Sequence, residues 1–215
     1  MAQPNLPAVT AIVVAAGASR RMGFDKLSYR LPDGRTVLET SCAALAAHPA
    51  ITQLVLVCGG NRVACEAIAA ACPKPCAVVQ GGATRADSVR NGLAAATGEL
   101  VAIHDAARPF ISAEVITAAL TAAAASGAAA PAVPVKDTIK IADKSGRVVE
   151  TPDRAALYAV QTPQCFQRTL YLQALDAVTG EKASLVTDDC SLFELAGLPV
   201  TLTAGDYANY KITTK

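Results

Sequence analysis

Thr10-Ala-Ile-Val-Val-Ala-Ala16 is an apolar run that leads directly into Gly17-Ala-Ser-Arg-Arg-Met-Gly-Phe-Asp-Lys26, a loop of small and cationic residues. A run of this length without polar alternation is typical of a strand buried on both faces of a sheet. Small residues let backbone N–H groups approach a phosphate chain, and Arg20, Arg21 and Lys26 add three cations. The composition favours a grip for a triphosphate, although an ordinary glycine turn flanked by surface arginines has the same composition.

Two familiar phosphate-binding motifs do not fit this loop. No Gly-Lys-Ser or Gly-Lys-Thr follows, as a Walker loop requires, and the spacing of Gly17 and Gly23 is not that of the dinucleotide-binding fingerprint. The chain also lacks a Gly-x-Ser-x-Gly element, so little supports a serine hydrolase.

Similar apolar runs recur along the chain, and segments of helical length separate them. They predict an α/β fold with a doubly wound, mostly parallel sheet. Thr36-Val-Leu-Glu39 has the form of a capping box, and Ser112 and Gly127 bracket another predicted helix. Right-handed crossovers place the loops after the strands at one edge, where such sheets bind ligands. The further predicted strands are Gln53 to Cys58, Cys76 to Val79, Leu100 to His104 and Ala128 to Val133.

The alternation of strands and helices stops after Val135. Asp137 to Ala142 and Arg147 to Thr151 read as two alternating strands joined by the turn Asp143-Lys-Ser-Gly146. We therefore predict one domain over residues 1–215, with residues 136–156 as an inserted β-hairpin arm. An isolated hairpin is marginal in water, so a second subunit is the natural surface for it to pack on.

Bulk composition narrows the classes of partner. A net charge of +1, from 19 Lys and Arg against 18 Asp and Glu, gives no global attraction to nucleic acid or to anionic membranes. Seven scattered cysteines suit a reducing compartment, and residues 1–9 lack the basic region of a secretory signal, so a cytoplasmic location is expected. The uncharged stretch from Val115 to Val135 is interrupted by Gly127 and Pro131, and we read it as a helix, a turn and a buried strand.

His104-Asp-Ala-Ala-Arg-Pro109 follows the predicted fourth strand, so Asp105 should point into the edge that holds the glycine loop. A single carboxylate there suits Mg²⁺, which takes its other ligands from water and substrate phosphates. Arg108 would pair with that carboxylate or hold an anion. A turn or helix-capping aspartate is an equal alternative for Asp105. His104 is expected to be a packed or orienting residue, because transfer to an already ionised phosphate needs no general base.

The turn Gly81-Gly-Ala-Thr84 follows the predicted third strand and opens a helix. Two glycines can admit a flat base, and Ser88 in the first turn of that helix would reach the base or the ribose. Alternatively, Thr84 and Asp87 only cap the helix.

With these motifs in order, the chain resembles the 2-C-methyl-D-erythritol 4-phosphate cytidylyltransferase family, which uses CTP in the non-mevalonate isoprenoid route. The resemblance runs from about Ala11 to Thr213. It is carried above all by Arg85-Ala-Asp-Ser88, His104-Asp-Ala-Ala-Arg-Pro109, Asp137-Thr138, Thr162-Pro-Gln164 and Lys211.

The resemblance implies a nucleotidyltransferase fold of Rossmann-like type, Mg²⁺ as cofactor, and a homodimer whose arms exchange between subunits. It implies that CTP and a polyol phosphate are the substrates. The implied catalytic residues are Arg21, Lys26 and Lys211; the CTP-binding residues are Ala15, Ala16, Gly17, Gly82, Ser88 and Asp105, with Asp105 also on the metal; the acceptor-binding residues are Arg108, Thr138, Arg154 and Thr162.

Other interpretations stay open at this point. A cytidylyltransferase for another polyol phosphate, such as ribitol 5-phosphate, would share nearly all the CTP-side residues, and a non-catalytic nucleotide-sensing module would keep the fold. Family members usually continue past the position of Lys215, so we expect the natural gene to run on into a closing helix or a second enzyme.

Overall fold

The structure is a computed structural model and describes residues 6–17 and 26–213. Its main sheet, within those residues, has eight strands. Seven of them lie in the order β10-β5-β9-β4-β1-β2-β3, and β8 pairs with β5 beside β9. The strands are β1 (Val9–Ala15), β2 (Ile51–Cys58), β3 (Cys76–Gln80), β4 (Leu100–Asp105), β5 (Ala128–Pro134), β8 (Tyr158–Val160), β9 (Gln164–Gln167) and β10 (Thr201–Ala204).

Four neighbouring strands form the parallel part of the sheet that was predicted. β1 pairs in parallel with both β2 and β4, and β3 extends the set by pairing in parallel with β2. β9 was not predicted: it lies antiparallel between β4 and β5 and joins the two parts of the sheet. The predicted mostly parallel α/β fold is confirmed, with β8 and β9 as its antiparallel members.

Helices cover both faces of the sheet, as expected for a doubly wound fold. One apolar cluster packs α1 (Val37–Ala47), α2 (Arg62–Ala71) and α4 (Ala113–Ser126) on the face that carries Ala11, Val13 and Leu56. The other packs α3 (Arg85–Ala95), α5 (Arg168–Ala177) and α6 (Asp189–Leu195) on the face that carries Ile12, Val55 and Val57. Because successive side chains of a strand point to opposite faces, continuous apolar runs fill both clusters.

Local signals fix the helix ends that position the ligand-binding edge. Thr36 and Glu39 form the predicted capping box of α1, and Thr84 and Asp87 form another at the start of α3. α4 begins after the N-cap Ser112, and it ends at Gly127, whose φ of 92° belongs to the left-handed region that glycine tolerates. None of the helices described in this structure is long and apolar enough to cross a membrane.

The predicted arm is present, but its two paired strands are shorter than the alternating sequence predicted. Only β6 (Ile141–Ala142) and β7 (Val148–Glu150) pair, in a separate two-stranded sheet that turns at Gly146, where φ is 84°. Every residue of this hairpin is exposed, including Ile141 and Val149, which are 45% and 62% exposed. The strands stop early because nothing within the described chain covers their apolar side chains.

Candidate functional site

A cleft of about 610 Å³ opens where the chain leaves β1, β3 and β4 at the carboxyl edge of the sheet. This is the edge at which open α/β sheets bind their ligands. The wall of the cleft consists of small residues of the three loops together with four charged side chains. The lining residues are Val14, Ala16, Gly17, Lys26, Leu27, Gly82, Ala83, Thr84, Arg85, Ser88, Asp105, Ala106, Ala107 and Lys211.

The loop after β1 forms one wall. Ala15 is buried at the end of the strand, its carbonyl accepts a hydrogen bond from Asn61 (3.3 Å), and Ala16 and Gly17 line the opening. Lys26 returns to the same cleft at the far end of the loop. Arg21 lies outside the described residues, so its predicted role in gripping phosphate stays a prediction.

The turn after β3 forms the opposite wall, and a side chain on Gly81 would overlap with that of Ala16. Glycine at this position lets the two walls approach closely. The hydroxyl of Ser88 accepts a hydrogen bond from the Gly82 N–H (3.1 Å) and donates one to the Thr84 carbonyl (2.9 Å). Thr84 and Asp87 cap α3, as the structural alternative expected, and Gly82 and Ser88 also line the cleft, so binding of a base or ribose at this turn stays a prediction.

The floor of the cleft carries an ion pair between Asp105 and Lys211, whose Nζ lies 2.7 Å from the carboxylate Oδ2. Burial raises the pKa of Asp105, but the attraction of Lys211, a hydrogen bond from it and the nearby Arg85 outweigh burial, and the net pKa falls below its ordinary value. Asp105 is thus a carboxylate near neutral pH. Its side chain pairs with cations and caps none of the described helices, so the helix-capping alternative is wrong for Asp105. The turn alternative is confirmed, because the Asp105 carbonyl accepts a hydrogen bond from the Arg108 N–H (3.0 Å).

Arg108 lies behind this pair, with its Nε 4.0 Å from Asp105 Oδ2. One of its terminal N–H groups donates to the Asn209 carbonyl (2.7 Å), and Nε has no hydrogen-bond partner among the described residues. Burial lowers the pKa of Arg108, and Asp105 acts in the opposite direction. Arg108 does not line the cleft, so within one chain it holds the C-terminal segment against the β4 loop.

Thr162 also acts from behind the floor. Its hydroxyl accepts a hydrogen bond from the Asp105 backbone N–H (3.0 Å) and lies 3.0 Å from His104 Nδ1. The other ring nitrogen of His104, Nε2, lies 3.0 Å from the Arg108 carbonyl, which can only accept, so Nε2 carries the proton and Thr162 donates to Nδ1. Burial, only partly offset by its hydrogen bonds, lowers the pKa of His104 to about 4. A buried, neutral His104 agrees with the orienting role expected for it.

The C-terminal segment, residues 209–212, lies against the floor of the cleft although it is far from the β4 loop in the sequence. Asn209 is fully buried and donates through its amide nitrogen to the Thr162 carbonyl (2.9 Å) and to Gln161 Oε1 (3.2 Å). The Ile212 N–H donates to the Ala107 carbonyl (2.8 Å). These bonds flank Lys211 on both sides, which explains why a residue this late in the chain reaches Asp105.

Two predicted acceptor-binding residues are not brought to this cleft by the single chain. Thr138 and Arg154 are exposed on the arm, and Arg154 donates to the Lys136 carbonyl (3.1 Å) within the arm itself. The structure thus gathers Ala16, Gly17, Lys26, Gly82, Ser88, Asp105 and Lys211 around one cavity and leaves the arm residues outside it.

The predicted site lacked a charged pair that the structure places on the cleft wall. Arg85 lines the cleft, and its terminal N–H donates to Asp189 Oδ2 at 2.6 Å. In the sequence, Arg85 belongs to a motif that carries the family resemblance but has no predicted role of its own, and no pattern indicates a role for Asp189. One local feature could have indicated a site role for Arg85. It is the first residue of α3, directly after the N-cap Thr84, and helices of this sheet begin at the ligand-binding edge.

Metal-binding capacity in this cleft is limited. Among the described residues no group of three or more His, Cys, Asp or Glu side chains could hold a metal ion. Asp105 contributes one carboxylate, one oxygen of which is paired with Lys211. This set fits an ion whose remaining ligands are water and the phosphates of a bound nucleotide, as is usual for Mg²⁺.

The sheet order, the loops at its carboxyl edge and the charged cleft define an α/β protein with a nucleotidyltransferase-like fold. Sequence comparison then gives the family: residues 9–215 match the profile of IspD, 2-C-methyl-D-erythritol 4-phosphate cytidylyltransferase. The chain belongs to this family, as the resemblance predicted.

Individual relatives agree with this assignment. The chain is 46% identical over 209 residues to the bifunctional enzyme IspD/IspF of Anaeromyxobacter dehalogenans, covering 95% of this chain and 54% of that protein. It is 43% identical over 213 residues to the 2-C-methyl-D-erythritol 4-phosphate cytidylyltransferase of Desulforamulus reducens, covering 96% of this chain and 91% of that protein. The chain therefore spans about half the length of its bifunctional relatives.

A solved structure has the same fold. The 4-diphosphocytidyl-2C-methyl-D-erythritol synthase of Anaerococcus prevotii superimposes with a TM-score of 0.84 at 32% sequence identity, covering 97% of this chain and 94% of that one.

Proposed function

We propose that this chain transfers a cytidylyl group from CTP to 2-C-methyl-D-erythritol 4-phosphate, giving 4-diphosphocytidyl-2-C-methyl-D-erythritol and pyrophosphate, with residues 1–215 acting as one cytidylyltransferase domain. The observation that carries the proposal is the cleft in which Lys26, Lys211 and Asp105 converge between two small-residue walls. Family membership adds the identity of the two substrates.

The chemistry is an in-line displacement at phosphorus. A phosphate oxygen of the acceptor attacks the α-phosphorus of CTP, the new oxygen–phosphorus bond forms, and the bond from the α-phosphorus to the bridging oxygen breaks as pyrophosphate leaves. The attacking oxygen is already ionised, so no side chain has to remove a proton. Negative charge builds up on the α-phosphoryl and leaving oxygens, and fixed cations stabilise such charge.

Each part of the cleft has a role in this step. Gly82, Ser88, Ala15, Ala16 and Gly17 frame the cytosine and the start of the triphosphate between the two walls. Lys26, with Arg21 from the same loop, holds the triphosphate.

The floor of the cleft supports the reacting phosphorus. Lys211 contacts the acceptor phosphate or the α-phosphoryl oxygens from the side of Asp105. Thr162 and Arg108 support this floor from behind, through the backbone of Asp105 and through Asn209.

Mg²⁺ is the proposed cofactor, and Asp105 is the residue of this chain that would hold it. When bound, the ion would neutralise negative charge on the phosphates of the nucleotide. Asp105→Asn keeps the size of the side chain and removes its charge, so the Mg²⁺ concentration for half-maximal rate should rise about tenfold or more. Glu181→Gln, on an exposed short 3₁₀ segment, is the matched control and should leave that concentration unchanged. An unaltered Mg²⁺ requirement in Asp105→Asn would remove Asp105 as the metal ligand.

We further propose a homodimer in which the arm of each subunit reaches the acceptor site of the other. The arm exposes Ile139, Ile141, Val148 and Val149 at 41–62% of their surface, and its two short strands form a sheet of their own. Exchange of the arms would bring Thr138 and Arg154 of one subunit to the cleft of the other, because these residues do not reach the cleft of their own chain. None of the seven cysteines, all of which lie within the described residues, forms a disulfide, which supports a reducing compartment, and we propose the cytoplasm.

Pyrophosphate release tests the function. The purified protein is mixed with CTP, Mg²⁺ and either 2-C-methyl-D-erythritol 4-phosphate or ribitol 5-phosphate. Release with the first acceptor alone is the expected result. Release with ribitol 5-phosphate alone would show that the acceptor is ribitol 5-phosphate. Binding of CTP without pyrophosphate release with either acceptor would indicate a nucleotide-sensing module.

A further inference from the structure

A buried carboxylate behind the cleft wall holds one of the cleft's arginines. Asp189 is 2% exposed, and its Oδ2 accepts a hydrogen bond from Arg85 at 2.6 Å, while the side chain of Arg85 remains about one third exposed toward the cleft. Burial lowers the pKa of Arg85, but Asp189 outweighs burial and raises the pKa above its ordinary value. The two residues therefore form an ion pair in which Asp189 is buried and Arg85 reaches the cleft.

Two further elements, α5 and β9, fix the position of Asp189. The hydroxyl of Tyr171, on α5, donates to Asp189 Oδ1 at 2.6 Å. Gln164, at the start of β9, accepts through Oε1 from the backbone N–H groups of Asp189 (3.0 Å) and Cys190 (3.2 Å). The same Gln164 donates through Nε2 to Asp188 at 2.7 Å. Both oxygens of Asp189 are thus engaged, and the start of α6 is tied to the central sheet.

This arrangement changes what Arg85 can do. A guanidinium has five N–H donors, and Asp189 takes one of them in the described structure. Because Asp189 neutralises its charge, Arg85 contributes little net attraction for a triphosphate but still presents directed donors. Its neighbours on the cleft wall are the Gly82–Thr84 turn and Ser88, the side where the base and ribose would lie. Asp105, on the floor of the cleft, is also near enough to raise the pKa of Arg85.

We propose that Asp189 is a positioning residue that orients the Arg85 guanidinium, and that Arg85 binds the nucleoside part of CTP through uncharged oxygen acceptors of the base or ribose. The inference rests on the proposed function, because it takes CTP as the ligand of this cleft. It adds Arg85 to the residues of the nucleotide site, and it adds Asp189 as a residue that acts only through Arg85.

Calorimetric titration with CMP, CDP and CTP tests both parts. Arg85→Ala and Asp189→Asn should each raise the Kd of all three nucleotides by a similar factor, about tenfold or more, as expected for loss of a charge-assisted hydrogen bond. The double variant should bind no more weakly than the weaker single variant, because Asp189 acts through Arg85. In steady-state assays the KM for CTP should rise while kcat and the KM for the acceptor change little.

Ser191→Ala is the matched control, since it removes a capping hydrogen bond at the start of α6, from the Asp188 N–H to Ser191 Oγ (3.0 Å), without touching the Asp189 carboxylate or Arg85. A general loosening of α6 would weaken binding in Ser191→Ala as much as in Asp189→Asn, and that result would overturn the positioning role. Additive losses in the double variant would overturn it as well. Losses that grow with the number of phosphates would overturn the nucleoside assignment.

Two outcomes separate this inference from the proposed function. Wild-type protein that binds CTP but transfers nothing would sink the proposed function, and the variants would still decide the role of Arg85. Wild-type protein that is fully active while Arg85→Ala binds all three nucleotides normally would sink only the inference. If Asp189→Asn does not fold, Arg85→Gln carries the test through the same nucleotide series.

Discussion

Lys26 and Arg21 are the residues on which the phosphate chemistry is proposed to depend. Fixed cations near the α-phosphorus stabilise charge that develops only during transfer, so Lys26→Ala and Arg21→Ala should each lower kcat by on the order of 10²–10³. Steady-state pyrophosphate release checks this, with the exposed Lys182→Ala as a matched loss of one positive charge. Wild-type turnover in either cleft variant would remove that residue from the mechanism.

His104 should make stability depend on pH. Its pKa falls from 6.5 in the unfolded chain to about 4 in the folded protein, chiefly through burial. The unfolded state therefore takes up a proton at higher pH than the folded state, and stability present above pH 6.5 is lost as pH falls toward 4. The loss should be on the order of 3 kcal/mol, and it should level off below the folded pKa.

Urea unfolding at pH 7 and pH 5 measures the part of this loss that falls between those two pH values, on the order of 2 kcal/mol. His104→Gln should unfold with a smaller change between the two pH values. His48, whose pKa is also lowered by burial and by Lys74, contributes in the same direction and should account for what remains. An equal pH dependence in wild type and His104→Gln would show that His104 takes up its proton while still folded.

Site residues next to predicted strand ends could be found from the sequence, and partners far along the chain could not. Asp105 and the glycine turns follow apolar runs directly, so the topology of a parallel sheet brings them to one edge. Arg85 and Asp189 are 104 positions apart, and their contact depends on how α6 returns to the sheet beside β9. No local pattern encodes that return.

At the scale of elements, the contact between the β1 loop and the β3 turn sets the width of the cleft. A Cβ on Gly81 would overlap with the side chain of Ala16 and come within 3.1 Å of the Cys58 carbonyl and Ser88 Oγ. Gly81→Ala should therefore lower the free energy of unfolding by about 1–3 kcal/mol and weaken CTP binding, because the walls must move apart.

Gly60→Ala is the control for this change, since a Cβ at Gly60 meets nothing within 4 Å. Denaturant unfolding and CTP titration of the two variants make the comparison. Equal behaviour of Gly81→Ala and Gly60→Ala would mean that the walls tolerate separation.

Apolar runs and capped helices were predictable, whereas short strands without an apolar run were not. β1, β2, β4 and β5 are six to eight residues long and almost wholly buried, and α1 and α4 carry clear capping signals. β9 has four residues, Gln164 to Gln167, with polar ends and no periodicity of its own. It is a strand because β4 and β5 each offer it an unpaired edge, which is a tertiary effect.

At the scale of the whole molecule, arm exchange predicts that an active site is shared between subunits. A Lys26→Ala subunit paired with an Arg154→Ala subunit would contain one site with both defects and one site with none. Each variant alone should be nearly inactive. After unfolding and refolding together in equal amounts, the mixture should regain roughly a quarter of wild-type activity, because half of the dimers are mixed and each has one intact site.

Sedimentation of the mixture and of each variant confirms that dimers are present. Lys26→Ala refolded with Lys211→Ala is the control pairing, since both residues line the cleft of their own chain and mixed dimers would hold no intact site. Recovery in the control pairing, or none with Arg154→Ala, would contradict an exchanged arm.

The most direct test of the central claim follows the α-phosphorus itself. The protein is incubated with Mg²⁺, 2-C-methyl-D-erythritol 4-phosphate and CTP labelled at the α-phosphate, and the products are separated. The proposed reaction places the label in a cytidine diphosphate ester of the methylerythritol and leaves the released pyrophosphate unlabelled. Label that stays in CTP, or that appears in CMP, would contradict cytidylyl transfer by this cleft.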